Sequence, residues 1–277
     1  MDLAVHSLGR WGLLCWDTAW RFGQFVQFAL SVAAALLRSP RRCLRWSNLG
    51  EQLFHVGTAS IPVVSLTGLF IGMILALEGY DQFAALGQEE RLGGVINISV
   101  VKQIGPVLAA VMIAGRVGGA LAAELGTMRI TEQLDAMRAM DADPIRILVA
   151  PRVVACIIMA PILTLYSDML GVAGAWLVTV KIFGVAQADY WHFSAQFVWG
   201  WDLFTGLIKA VFFGGAIGLI ACSHGFACSA GAAGVGRAAT AAFVSSFVAI
   251  IALNLVLAEF LNSVFHIFHR GFVGVLD

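Results

Sequence analysis

Three ionisable side chains lie inside long apolar runs of this sequence, where a charge is costly. Lys102, Asp168 and Lys209 are each the only charged residue in an otherwise uncharged stretch. An isolated charge at the centre of a membrane helix costs about 3 kcal/mol on insertion scales and usually has a partner or ligand. The two lysines suit a phosphate group, which ammonium groups bind as point charges. The alternative is that both side chains reach outward to the membrane surface.

Asp168 and Lys209 fall at similar depths if their two runs cross a membrane in opposite directions. Asp168 follows Arg152 by about 24 Å of helix, and Lys209 lies about 20 Å from the same face. These depths agree within one turn of about 5.4 Å. We therefore hypothesise that Asp168 is a partner of Lys209 when no ligand is bound.

A second chemically distinctive segment, 131–141, alternates charged and apolar residues with a helical spacing. Thr131 is positioned to cap a helix there, and Pro144 to end it. The apolar residues form one stripe and the charged residues cover another face: Leu134, Met137 and Met140 against Glu132, Asp135 and Arg138. The segment is either a connector lying on the bilayer or a docking element for a cytoplasmic partner.

The sequence shows no arrangement typical of an enzyme. It has no GxxxxGK[ST] motif and no HExxH, and its five cysteines have no CxxC spacing. The glycine-rich segment 231–237 follows no predicted strand, which disfavours a dinucleotide loop. His266 and His269 alone do not make a zinc site. We expect no cofactor and no metal site, and any nucleotide hydrolysis must come from another chain.

The overall composition requires a bilayer as solvent. Of 277 residues, 60% are hydrophobic and only 12% charged, and the formal net charge is +0, whereas soluble domains are about 25% charged. Mean hydropathy is +0.86. These values argue against a soluble enzyme, a disordered chain and a nucleic-acid-binding protein.

The five long runs with no more than one charge each predict an all-α integral membrane protein with five transmembrane helices, because each run is close to the roughly 20 residues needed to cross a bilayer. The predicted spans are 55–77, 95–117, 153–178, 203–223 and 239–261. A shorter apolar run, 22–37, predicts an interfacial helix, with a cleaved signal peptide as the alternative. The organisation is then an N-terminal cytoplasmic or interfacial region 1–51, a five-span domain 52–265 and a tail 266–277.

Lysine and arginine counts predict the orientation of these spans. Twelve of the 17 basic residues fall in segments on one side and three on the other, with two inside spans. The positive-inside rule places the N-terminus in the cytoplasm and the C-terminus outside. Segment 181–202 lies outside on this scheme, and its tyrosine and tryptophans predict an interfacial helix or re-entrant piece.

Small residues at four-residue spacing predict close helix contacts in the membrane. The pairs Gly68–Gly72 and Gly214–Gly218 and the run from Gly115 to Ala123 have this spacing. Packing within one chain is favoured over a dimer seam. Glu124, which follows such a run, is expected to pair with Arg116 or Arg129.

One long motif resembles the signature of the MlaE/YrbE permeases, the membrane subunits of ABC transporters that work with MCE proteins. The resemblance begins with Ile113-Ala-Gly-Arg-Val-Gly-Gly-Ala-Leu-Ala-Ala-Glu-Leu-Gly-Thr-Met-Arg-Ile-Thr-Glu-Gln-Leu-Asp-Ala-Met and runs on to Asp143-Pro144. It continues in Lys102-Gln-Ile-Gly-Pro106, Pro151-Arg152, Leu207-Ile-Lys209 and 231–240, and covers about residues 50–265.

This resemblance implies an N-terminal interfacial helix, five spans and a homodimer that encloses a lipid cavity. It implies that segment 131–141 is a coupling helix in a groove of a separate ATPase, with Leu134 and Met137 filling the groove. The residues it assigns to coupling are Glu132, Gln133, Leu134, Asp135, Met137 and Arg138, and those it assigns to the lipid cavity are Tyr80, Lys102, Gln103 and Lys209.

The resemblance also implies partners, location and cargo. The partners are an ABC ATPase, an MCE-domain protein outside and often a small STAS-domain protein, in a bacterial inner membrane. The cargo is phospholipid or a similar lipid, moved between the inner and outer membranes. One departure is Gln103, where the family often has an acidic residue. A channel or secondary transporter and an intramembrane enzyme are the alternatives, disfavoured because the sequence shows neither an internal repeat nor a nucleophile arrangement.

Overall fold

The computed structural model describes the backbone of residues 2–38, 40 and 46–273, with side chains given throughout 22–38 and 48–265. Those residues form helices and short connections, with no strand among them. The chain begins with a long helix, Asp2–Arg38, whose apolar part is Phe22–Arg38. This confirms the predicted apolar N-terminal helix. A shorter helix, Trp46–Gly57, follows it.

Within the described residues, five helical segments are long and apolar enough to cross a membrane, as predicted. We name them span one to span five: Asn48–Ala85, Glu89–Ile130, Ile145–Ile182, Gly200–Phe226 and Ala232–Phe265. They are longer than the predicted stretches because a helix can continue past the bilayer into charged residues, while hydropathy marks only its apolar part. The last helix continues to Val273.

Several spans are built from helical pieces of different winding. Span one contains most of the helix Trp46–Gly57, then a 3₁₀ turn, Thr58–Ser60, and then the helix Ile61–Ala85. Span two opens with a 3₁₀ turn, Glu89–Arg91, and two π segments, Val100–Ile104 and Ala114–Gly118, separate its helices Leu92–Ser99, Gly105–Ile113 and Gly119–Ile130. In span three, π segments Ile145–Val149 and Leu177–Ile182 flank Ala150–Trp176. Because π segments concentrate at functional sites, the one that contains Lys102 is of special interest.

Glycines allow the spans to approach within backbone contact. A Cβ atom on Gly68 would meet Ser167 of span three, and one on Gly72 would meet Gly171. On span four, Gly214 lies in the same way against Cys156 of span three. These contacts confirm that the four-residue spacing at the two glycine pairs serves packing within the chain.

A short helix, Gln187–Phe197, lies between spans three and four and confirms the helix predicted in the aromatic segment. It is held by Tyr190, whose fully buried hydroxyl lies 3.1 Å from Asn97 Oδ1 and 3.2 Å from the Val172 carbonyl. Asn97 Nδ2 in turn donates to Ser194 Oγ at 2.8 Å. Burial raises the pKa of Tyr190 to about 12, so the hydroxyl remains a donor. The helix is therefore fixed to spans two and three.

The segment between spans two and three forms a helix over Gln133–Ala139, which we name the loop helix. The expected cap is wrong, because Thr131 Oγ1 donates back to the Thr127 carbonyl at 2.8 Å. The expected stop is also wrong. The loop helix ends before Asp141, whose positive φ of 58° breaks the winding. Pro144 instead is the N-cap residue of the next helical segment, Ile145–Val149, where no helical hydrogen bond needs its missing N–H.

Candidate functional site

An ion pair inside the spans joins spans two and four. Lys102 Nζ lies 3.0 Å from Asp202 Oδ1. Asp202 is in the first turn of span four, where its other oxygen accepts a hydrogen bond from the Trp199 backbone N–H at 3.1 Å. Nothing in the sequence marked Asp202 as a site residue, although an acid three residues after a helix N-cap is a known capping signal.

Lys209 joins the same site at a point where the backbone of span two lacks a helical hydrogen bond. Pro106 has no N–H, so the carbonyl of Lys102, four residues earlier, cannot receive its usual helical hydrogen bond. The π segment Val100–Ile104 lies at this point, and Lys209 Nζ donates to the Lys102 carbonyl at 3.3 Å. The proline therefore creates an acceptor that a lysine from span four satisfies.

Lys209 also orients the side chain of Gln103. Its Nζ donates to Gln103 Oε1. Because an ammonium group can only donate, the amide oxygen must face the lysine, which leaves the Gln103 NH₂ group directed elsewhere as a donor. We name Lys102, Gln103, Asp202 and Lys209 the lysine cluster.

Exposure separates the members of the lysine cluster into two layers. Lys209 is 1% exposed, whereas the Lys102 side chain is 33% exposed and Gln103 is exposed. Lys209 therefore does not reach outward to the membrane surface. A ligand can approach Lys102 and Gln103 directly, with Lys209 behind them as a buried positive charge.

The hypothesis that Asp168 pairs with Lys209 is wrong. Asp168 is 3% exposed, and its Oδ1 packs against the Cα of Gly105 without a hydrogen-bond partner. The two residues do lie beside neighbouring parts of span two, Asp168 at Gly105 and Lys209 at Gln103. Depth alone does not decide which face of a helix a side chain occupies, and Lys209 faces span two at Gln103.

Tyr80 is not part of the lysine cluster. Its ring stacks on Phe183, with centroids 3.7 Å apart and an interplanar angle of 1°. Both rings pack against an apolar cluster that contains Leu92 and Val100 of span two. The structure thus brings together three of the four residues predicted for a lipid cavity and places Tyr80 in the adjacent apolar packing.

A second candidate site is the exposed surface of the loop helix. Asp135 Oδ1 accepts from Arg138 at 2.8 Å and from Arg129 at 3.3 Å, which ties the loop helix to the end of span two. Glu132 and Gln133 are also exposed. Leu134 is fully buried within the chain, so the expectation that it fills a groove on another protein is wrong; Met140, 71% exposed, is available instead.

Comparison with known proteins gives these two sites a context. Residues 49–260 match the family described as Permease MlaE. The chain belongs to the MlaE permease family. It is 40% identical over 237 residues to a probable ABC transporter permease protein of Rickettsia bellii, covering 86% of this chain and 90% of the relative.

Two further relatives agree with this assignment. A probable ABC transporter permease protein of Synechocystis is 41% identical, covering 91% of this chain and 92% of that one. The intermembrane phospholipid transport system permease protein MlaE of Haemophilus influenzae is 36% identical, covering 80% and 86%. This MlaE-family chain is therefore a multi-pass membrane permease of the ABC transporter class.

In this MlaE permease a buried arginine, Arg152, links spans two and three close to the loop helix. Arg152 of span three, with a side chain 6% exposed, donates to Glu124 of span two at 3.1 Å and to the Leu148 carbonyl at 3.1 Å. The expectation that Glu124 pairs with Arg116 or Arg129 is wrong. Those two arginines bond Ser60 and Asp135 instead. The Glu124–Arg152 pair joins the two spans that the loop helix connects.

Across the described residues, the MlaE-family chain shows no group of three histidine, cysteine or acidic side chains placed to hold a metal ion. The side chains of His266 and His269 lie outside the described set.

Proposed function

We propose that this chain is the permease subunit of an ABC transporter that moves phospholipid between the inner and outer membranes. ATP hydrolysis takes place in a separate ATPase chain, and an MCE-domain protein exchanges the lipid outside the inner membrane. The single observation that carries the proposal is the lysine cluster, a partly exposed cationic site between two apolar spans. The name of the Haemophilus influenzae relative, an intermembrane phospholipid transport permease, supports the choice of cargo.

In this proposal the headgroup phosphate binds at the exposed layer of the lysine cluster. Lys102 supplies a charge-assisted hydrogen bond, held in place by Asp202, and the Gln103 NH₂ group supplies a second donor. Lys209 is a positioning residue that orients Gln103. Two copies of the chain enclose the lipid cavity, and the partly exposed Tyr80 contributes to its wall.

We assign docking of the ATPase to the loop helix. Glu132 and Asp141, which bracket the loop helix, both have positive φ values, of 60° and 58°. Non-glycine residues in this region cost about 1–2 kcal/mol each and concentrate at functional sites. The surface of the loop helix and of the residues beside it offers polar contacts from Glu132, Gln133 and Arg138. Met137 and Met140 offer the apolar contacts.

The orientation follows from the basic residues rather than from the structure. We place the N-terminus and the loop helix in the cytoplasm and the C-terminus in the periplasm, in a bacterial inner membrane. A small STAS-domain protein is a further candidate partner on the cytoplasmic side.

Replacing Glu132 and Arg138 together by alanine tests the docking surface. Glu132 makes no ion pair among the described residues, and Arg138 bonds only within the loop region, so the change should leave the fold intact. We expect copurification of the ATPase in mild detergent to fall at least about tenfold, because two charged interface contacts of roughly 1 kcal/mol or more are lost.

The matched control is Glu90→Ala with Arg91→Ala, which removes one acid and one arginine from the exposed turn at the other end of span two. This control should keep full copurification. Equal ATPase recovery with both double variants would show that the loop helix is not the docking element.

A further inference from the structure

The lysine cluster carries more positive than negative charge. Two ammonium groups, on Lys102 and Lys209, face one carboxylate, on Asp202. The fourth member, Gln103, is neutral. Within the hydrogen-bonded cluster, one positive charge therefore has no counter-charge.

Lys209 is the member that lacks a counter-charge. Asp202 forms its ion pair with Lys102, and both acceptors of Lys209 are neutral oxygens, on Gln103 and on the Lys102 backbone. Asp168, the other buried acid of spans two to four, lies against Gly105 and forms no ion pair among the described residues. A buried ammonium group that only neutral oxygens solvate gains strongly from an anion that approaches it.

The access route to that charge is short. Gln103 is exposed and directly bonded to Lys209, and Lys102 is one-third exposed beside it. A phosphodiester at these two side chains neutralises the excess charge of the cluster. A zwitterionic headgroup also brings an ammonium group, which must then lie near two lysines or be held away from them in a poorly solvated site.

We infer that this permease selects lipids whose headgroup carries a net negative charge over zwitterionic lipids, and that the neutral side chain of Gln103 sets this preference. The inference rests on the proposed function and names the substrate class of the same site. A carboxylate at position 103 would pair with Lys209, bring the cluster to zero net charge and remove the advantage of an anionic headgroup.

The test compares two phospholipids of identical acyl chains. The permease is purified with its ATPase after equilibration in liposomes that contain equal amounts of phosphatidylglycerol and phosphatidylethanolamine, and bound lipid is quantified by mass spectrometry. We expect the wild type to enrich phosphatidylglycerol at least about fivefold, because both lipids offer the same phosphodiester but phosphatidylethanolamine also brings an ammonium group close to the uncompensated positive charge of the cluster. Gln103→Glu should bring the ratio close to one.

Two further variants keep the test decisive. Gln24→Glu makes the same chemical change on the N-terminal helix and should leave the enrichment intact. Asp202→Asn keeps an oxygen for the Trp199 cap while raising the charge of the cluster, so it should increase the enrichment even if Gln103→Glu fails to fold.

The outcomes distinguish this inference from the proposed function. Bound phospholipid at a ratio near one in the wild type overturns the charge preference alone, as does an enrichment that Gln103→Glu and Asp202→Asn both leave unchanged. Recovery of the wild-type complex with no phospholipid above an unrelated membrane protein overturns the proposed function together with the inference.

Discussion

Replacing Gly72 by alanine is expected to abolish the recovery of folded, monodisperse protein. A methyl group on Gly72 would overlap the carbonyl group and Cα of Gly171, which are backbone atoms of span three. They cannot rotate away as a side-chain end could, so spans one and three must separate to make room. The cost should reach the top of the 1–3 kcal/mol range typical of overpacking, or exceed it. Thermal melting of the purified protein and size-exclusion profiles in mild detergent measure the effect.

The matched control is Gly119→Ala, on span two. A Cβ atom at Gly119 meets nothing within 4 Å. Alanine also has the better helix propensity by about 1 kcal/mol. The melting temperature should therefore stay the same or rise. Similar losses in both variants would mean that the contact between spans one and three is not as close as described.

Lys102→Met is expected to lower phospholipid transport by the folded protein about tenfold or more. Methionine matches the length of the lysine stem, and the side chain is already one-third exposed, so packing changes little. The variant loses a charge-assisted hydrogen bond to the headgroup, worth about 1.5–3 kcal/mol. Transfer of labelled phospholipid in reconstituted liposomes, at saturating ATP, is the measurement.

Two variants separate binding from folding in that experiment. Lys181→Met removes a lysine that lies over the Trp176 ring, outside the lysine cluster, and should transport normally. Lys102→Met combined with Asp202→Asn leaves no buried carboxylate without a partner, so it should fold well and still transport poorly. Restored transport in the double variant would show that Lys102 serves only to neutralise Asp202.

The five-span architecture was predictable because it depends on the hydropathy and charge of consecutive residues, which can be read directly from the sequence. Five long runs with at most one charge each gave the spans, since a bilayer excludes charge over a fixed thickness. Close helix packing was also predictable at two glycine pairs, Gly68–Gly72 and Gly214–Gly218, because small residues at this spacing commonly serve helix–helix contacts in membranes. The run from Gly115 to Ala123 has the same spacing, but there Gly115 lies against the Phe243 ring and Gly119 faces open space, so no close backbone contact forms at either glycine.

The sequence did not show toward which neighbouring span each polar side chain is directed. Span two contains two π segments, Val100–Ile104 and Ala114–Gly118. Each inserts a residue into the helical repeat and rotates everything beyond it by about 100° relative to a regular α-helix. Counting residues along a regular α-helix therefore could not show which residues of span two would face Asp168 of span three and Lys209 of span four.

The loop helix shows a related limit. Leu134, Met137 and Met140 form one stripe by spacing, and the sequence cannot say whether the chain itself or a partner covers it. The structure divides the stripe, with Leu134 buried in the chain and Met140 exposed. Glu124 was likewise assigned to arginines close in sequence, because its partner Arg152 comes 28 residues later, beyond the loop helix.

The most direct test of the proposed function is ATP-dependent lipid movement by the complete assembly. The chain is reconstituted in liposomes with its ATPase, and labelled phospholipid is followed between the liposomes and the soluble lipid-binding domain of the MCE partner. We predict movement that requires ATP and this chain, and that stops when the ATPase carries an inactivating substitution. Movement at the same rate without ATP, or ATP hydrolysis that moves no phospholipid, would contradict the account.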